Sequence, residues 1–192
     1  MNLIMRLRRF RRDDGGMALV EFAMVLPVMV LLYLGGVAVT QGVMTNRKVV
    51  LLNHAIGDMI AQDTDISASD ATTTFSAASA IMAPYSSSAS ILSMRVSSVK
   101  ISAAGNACVE WSVSPTSGFA RAAQSDVTSV VPSQLRVAST WLIMPETQYQ
   151  YTPIVGVDIT GTINMSKILF LRARASSRVT ATYLQSDLNA CT

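Results

Sequence analysis

Gly16, Met17 and Glu21 are the residues whose types and spacing point most directly to chemistry. A glycine closes a basic leader, and a single carboxylate follows five residues later at the mouth of a long apolar run. Glycine has no Cβ, so a protease can bring its catalytic groups against the backbone there. That makes the Gly16–Met17 bond a candidate site of cleavage. Cleavage would free a positive α-amino group on Met17. Glu21 is the only charged residue between Gly15 and Asn46. A charge at membrane depth is costly when unpaired and is usually functional. If this helix packs beside copies of its kind, Glu21 would pair with the freed amino terminus of a neighbour and set axial register, beside Phe22. The alternative is a carboxylate at the membrane interface, favourably placed near a helix amino terminus.

These residues need a helix to carry them. Phe22 to Met44 is an uninterrupted uncharged stretch, roughly 34 Å long at about 1.5 Å per residue, enough to cross a bilayer. Pro27 lies within it and removes one main-chain bond, so a kink or loosening is expected there. Gly35 and Gly36 permit close helix approach. A conventional secretory signal would have a shorter apolar region followed by a small-residue cleavage site. Here the glycines precede the apolar run, which favours a retained span.

The formal charge of +3 sits entirely in residues 1–16, where five arginines face two aspartates. The rest is neutral, so nucleic-acid binding has no electrostatic basis. The arginines read instead as a topology signal that keeps residues 1–16 in the cytoplasm and sends the carboxyl-terminal region outside.

After Met44 the pattern turns amphipathic. Val49, Leu52, Ile56, Met59 and Ile60 recur at helical spacing, as expected of one helix emerging from the membrane under an outer domain. It weakens at Asp63-Thr64-Asp65. Ser67 or Ser69 is expected to cap a second helix over Ala71–Met82, ended by Pro84. Ile91–Ile101 and Cys108–Val113 predict a hairpin about the turn at residues 103–106. Residues 115–132 read as a loose connection with a short helix near Phe119–Ala123. Residues 137–151 predict a third strand, placed at an edge or bulge by Pro145. Pro153–Gly161 is a loop, Asn164–Ala173 a fourth strand, and Arg178–Tyr183 an extension of the sheet. The expected fold class is α+β: a long amino-terminal helix, transmembrane and then amphipathic, packed on a small antiparallel sheet. The expected segments are a leader at 1–16, a transmembrane helix at 17–45, an emerging helix and linker at 46–83, and an extracytoplasmic β domain at 84–192.

Other constellations carry less. His54 is the only histidine, so neither a Ser/His/Asp triad nor a histidine-rich metal cluster can be assembled. A helix-surface contact with Asp58 is expected instead. Asp58, Asp63, Asp65 and Asp70 lack the spacing of a calcium loop. No catalytic residue, metal, cofactor or small-molecule substrate is expected. Trp111, Trp141, Tyr149 and Tyr151 read as packing residues. Arg172, Arg174 and Arg178 read as a solvated basic strip. Cys108 and Cys191 are a candidate disulfide if the domain is extracytoplasmic, with two independent thiols as the alternative.

Gly16-Met-Ala-Leu-Val-Glu21-Phe22 and the apolar run through Pro27 resemble the start of TadE-like (TadE/TadG) minor pilins, or pseudopilins, of the tight-adherence (Flp/Tad) type IV-like pilus system. Arg47-Lys48-Val49 with Asp58–Asp63, Tyr149–Gly156 and Phe170–Arg174 are similar to later parts of longer members. The resemblance implies a pilin-like, non-enzymatic subunit in the inner membrane with a periplasmic domain. It also implies processing by a prepilin peptidase after Gly16, assembly with other pilins and the pilus machinery, and presence at the pilus or cell surface if the subunit is exported. Met17 stands where major type IV pilins usually carry Phe. The rival reading is an uncleaved bitopic membrane anchor bearing a periplasmic binding module.

Overall fold

The computed structural model describes residues 15–153 and 161–184. One helix dominates it. α1 spans Gly15–Ala61 without interruption, with Pro27 inside it. Gly15 is the first described residue, and the helix ends just before Asp63. After a short turn, α2 covers Ala68–Ser79 and runs into a 3₁₀ turn at Ala80–Met82. Ser67 is the cap: its side chain accepts from the Asp70 amide, and the Asp70 carboxylate accepts from the Ser67 amide. This reciprocal pair satisfies two donors that a helix start leaves free. It explains why α2 begins three residues earlier than the expected Ala71.

Four strands follow, β1 (Leu92–Ile101), β2 (Ala107–Val113), β3 (Trp141–Tyr151) and β4 (Ile163–Ile168). They form one antiparallel sheet in the order β2-β1-β3-β4. The expected hairpin is β1–β2. The long helix on a small antiparallel sheet is the expected α+β arrangement.

Helix and sheet meet through a continuous core. Val49, Leu52, Ile56 and Ile60 of α1 are fully buried against Leu92, Val96, Ile143, Tyr149 and Tyr151, with Phe75 and Met82 closing one side. Three contacts fix the relative direction. Tyr151 lies against Gly42, Thr147 donates to the Asn53 side chain at 3.0 Å, and Pro145 presses on Gly57. β3 therefore runs antiparallel to α1, and its carboxyl end faces the apolar half of the helix.

The sheet has a second covered face. Val99, Ile101, Val109, Leu142 and Met144 pack there under Val127 and Val131, so the connection after β2 is a lid on the sheet rather than a loose linker. β1 is buried on both sides for this reason. A register shift at Ser98/Val99 leaves Glu110 as the extra residue in β2. Such a bulge re-aims neighbouring side chains: Val109 joins one core and Trp111, two residues on, joins the other.

Four expectations are corrected. β3 is internal, not an edge strand, and pairs with β1 in unbroken register through Pro145. The proline is tolerated because its missing donor faces the β4 side, where that ladder has ended. Only the Pro145 carbonyl bonds there, accepting from Leu169 N–H at 3.1 Å. β4 stops at Ile168 instead of Ala173, leaving Leu171 as an isolated bridge to Ile143. Residues 178–183 form no strand. Val179 and Ala181 are buried under the sheet, and Thr180 bridges to Asp65. Residues 119–123 hold turns, not a helix. The β3–β4 loop at 154–160 and the leader before Gly15 lie outside the described residues.

Candidate functional site

The expected cleavage, register and kink residues fall on the first half of α1, and no packing from the described sheet domain covers them. Gly16 has no heavy atom within 4 Å of where a Cβ would stand. Met17 and Phe22 are 71% and 63% exposed, and Glu21 is exposed with no ion-pair partner among the described residues. An eighteen-residue window of this helix has a mean hydropathy of 2.4, and none of it is buried. Leu52 and Ile56, on the same helix, are wholly buried. A helix bare along its apolar half and sealed along the other fits a single-pass membrane protein.

Two geometric points bear on chemistry. The Gly16–Met17 bond lies in the first turn of α1. Met17 and Glu21 are four residues apart and share one helix face. A new α-amino group at Met17 and the carboxylate would thus form a single dipolar patch on one side of the helix. Pro27 sits a turn and a half further on, inside a helix that continues through it.

The remaining candidates have structural partners. Asp58 pairs with Arg174 at 2.7 Å rather than with His54. Asp65 accepts from Thr180 and from Thr182, whose hydroxyl lies 2.6 Å away. Those two hydroxyl bonds hold its carboxyl below the ordinary range. Arg178 meets Glu110 at 3.2 Å and stands 5.9 Å from the centre of the Trp141 ring. The expected basic strip is thus broken up: Arg172 and Arg174 are exposed, Arg174 is tied to Asp58, and Arg178 is half-buried. Trp111 is core and donates Nε1–H to the Val179 carbonyl at 3.0 Å. Tyr149 and Tyr151 are core as well. Cys108 lies nearly buried in β2, and Cys191 lies outside the described residues.

Sequence reasoning missed the charged centre of the sheet's second face. Glu146 is buried and takes bonds from Arg95 and from Arg121, at 2.6 and 3.0 Å. Arg95 lies 4.4 Å from the centre of the Phe119 ring. These residues are 25 to 51 positions apart, and no periodicity announces such a cluster.

A helix-anchored α+β protein is thus the class that the fold and its bare helix define. Residues 16–50 match the family model described as TadE-like protein. The match begins at Gly16, takes in Glu21, Phe22 and Pro27, and ends inside α1, short of the sheet. Over these residues the chain is similar to TadE-like proteins. No curated protein matches the chain. No solved structure matches it.

Proposed function

We propose that this protein is a minor pilin or pseudopilin that takes part in assembling a tight-adherence pilus, with no enzymatic activity of its own. The observation that carries it is the bare apolar half of α1, with one carboxylate near its start and a TadE-like match across it. Apolar surface on this scale needs lipid or other helices to cover it. The prepilin peptidase would remove residues 1–16 on the cytoplasmic side of the inner membrane. The Met17 amino group and Glu21 would then pair between neighbouring subunits at a water-poor level, fixing axial register, while residues 22–44 supply apolar packing.

Segments 17–45 as the span and 84–192 as a periplasmic domain follow from this reading. So does a Cys108–Cys191 disulfide, because that compartment is oxidising. Pro27 would loosen the span for passage out of the bilayer. The outer domain is large for every subunit of a thin filament, which favours a capping or initiating role. Incorporation along purified pili in amounts equal to the main subunit would exclude that role.

The test is photo-cross-linking from a benzophenone amino acid placed at Phe22 in cells that assemble the pilus. Adducts to other small membrane subunits are expected, and Glu21→Gln should reduce them. Adducts to lipid alone would contradict the proposal and leave an uncleaved anchored binding module.

A further inference from the structure

The membrane-facing base of the domain holds an unused polar group. Tyr151 is 94% buried, yet its hydroxyl has no hydrogen-bond partner among the described residues. A buried hydroxyl left unpaired is costly, and native structures seldom keep one without a role. Tyr151 lines a hollow of about 220 Å³ together with Gln41, Tyr85, Tyr149, Gln150 and Thr152. Ile91 completes the lining, and among the described residues no acid lines it.

The depth of this hollow follows from α1. Glu21 to Gln41 is twenty residues, about 30 Å of helix, which is the thickness of a bilayer's hydrocarbon core. Gln41 therefore reaches the outer boundary when Glu21 sits at the inner one. The same level collects tyrosines, which favour the headgroup region. Two cations follow at Arg47 and Lys48. Lys48 is held by the Ile81 and Ala83 carbonyls and stands 5.9 Å from the centre of the Tyr85 ring, so its charge is fixed beside the hollow.

We propose that this hollow binds the phosphodiester of an outer-leaflet glycerophospholipid. The Tyr151 hydroxyl donates to a phosphate oxygen, the Gln41, Gln150 and Thr152 side chains supply further donors, and Lys48 supplies the favourable field. The bound lipid would fix the height of the sheet domain above the membrane. This inference rests on the membrane-anchored reading of α1.

The experiment uses the full-length chain in lipid-free detergent micelles, with thermal unfolding followed as dioleoylphosphatidylglycerol is added. Tyr151→Phe keeps the ring against Gly42 and removes only the hydroxyl. The wild type is expected to gain melting temperature with phospholipid by ligand linkage. Dioleoylglycerol, which lacks the phosphate, should give no gain. Tyr151→Phe should need about tenfold more phospholipid for the same gain, the scale of one hydrogen bond to an ionised group. Equal responses of wild type and Tyr151→Phe, or an equal gain with dioleoylglycerol, would overturn the proposal. An equal gain with water-soluble glycerophosphoglycerol would overturn the lipid as the source. Liposome flotation of the same protein separates the two failures: a chain that floats without a phosphate-dependent gain loses only this site, and one that does not float loses the anchor as well.

Discussion

At Gly57 the helix approaches β3 closely, and Gly57→Ala measures that docking. A Cβ built there would lie 2.5 Å from Leu171 Cδ1 and 2.9 Å from Pro145 Cγ. Both distances are well inside van der Waals contact. Leu171 can turn its terminal methyl aside, but the Pro145 ring is held in β3 and cannot. Overpacking of this kind costs about 1–3 kcal/mol. Alanine also gains about 1 kcal/mol over glycine in a helix interior. The balance is a net loss of about 1 kcal/mol, or roughly 2–4 °C for a domain of this size. Circular dichroism melting of the full chain in detergent reads it. Leu171→Ala removes the nearer obstacle, so the double variant should lose less than the two single changes added together. Gly57→Ala that melts higher, by the full helix-propensity gain, would refute the close packing of β3 and the residue 171 bridge on α1.

Other perturbations follow from named contacts. Glu146 is pushed up by burial and further down by its Arg121 and Arg95 bonds, so its pKa ends below the ordinary glutamate value of 4.5. A depressed carboxyl contributes stability that is present above its unfolded pKa and lost as pH falls through the folded one. Melting temperature should thus fall as pH drops below about 4.5, and Glu146→Gln should flatten that slope while costing about 3 kcal/mol at neutral pH, as read by a denaturant series. Asn53→Ala orphans the buried Thr147 hydroxyl and should cost about 1–3 kcal/mol in the same assay. Ser67→Ala removes the α2 cap and should cost about 1 kcal/mol, visible as a lower midpoint with unchanged slope. If Cys108 and Cys191 are bonded, a reductant should lower the melting temperature of the wild type and leave a Cys108→Ser variant unchanged.

Much of this architecture was legible because it rests on local pattern. The uncharged run from Phe22 to Met44 and the helical spacing of Val49, Leu52, Ile56 and Ile60 specify one long helix and the side it buries. Ser67 is one of the two serines expected to cap α2, and the turn at 103–106 marks a hairpin. What stayed hidden depends on partners distant in sequence. Pro145 reads as an edge residue until the end of the β4 ladder is known. Residues 178–183 look like a strand because Val179 and Ala181 alternate, but they alternate to reach a core already closed by Trp111. Glu146 carries no local signal, because its partners Arg95 and Arg121 lie 51 and 25 positions away. Gly57 carries no signal except its absent side chain, and Tyr151 looks like ordinary packing until its hydroxyl is found unpaired. Gly16 and Glu21 are singled out by sequence alone, and the structure adds that both lie on the bare part of α1.

The most direct measurement is the amino-terminal sequence and intact mass of the protein extracted from membranes of pilus-assembling cells, beside a variant with Gly16→Leu. A mature start at Met17 in the wild type, lost in the variant, is the result the account predicts. A start at Met1 in both, with the basic leader still attached, would contradict it.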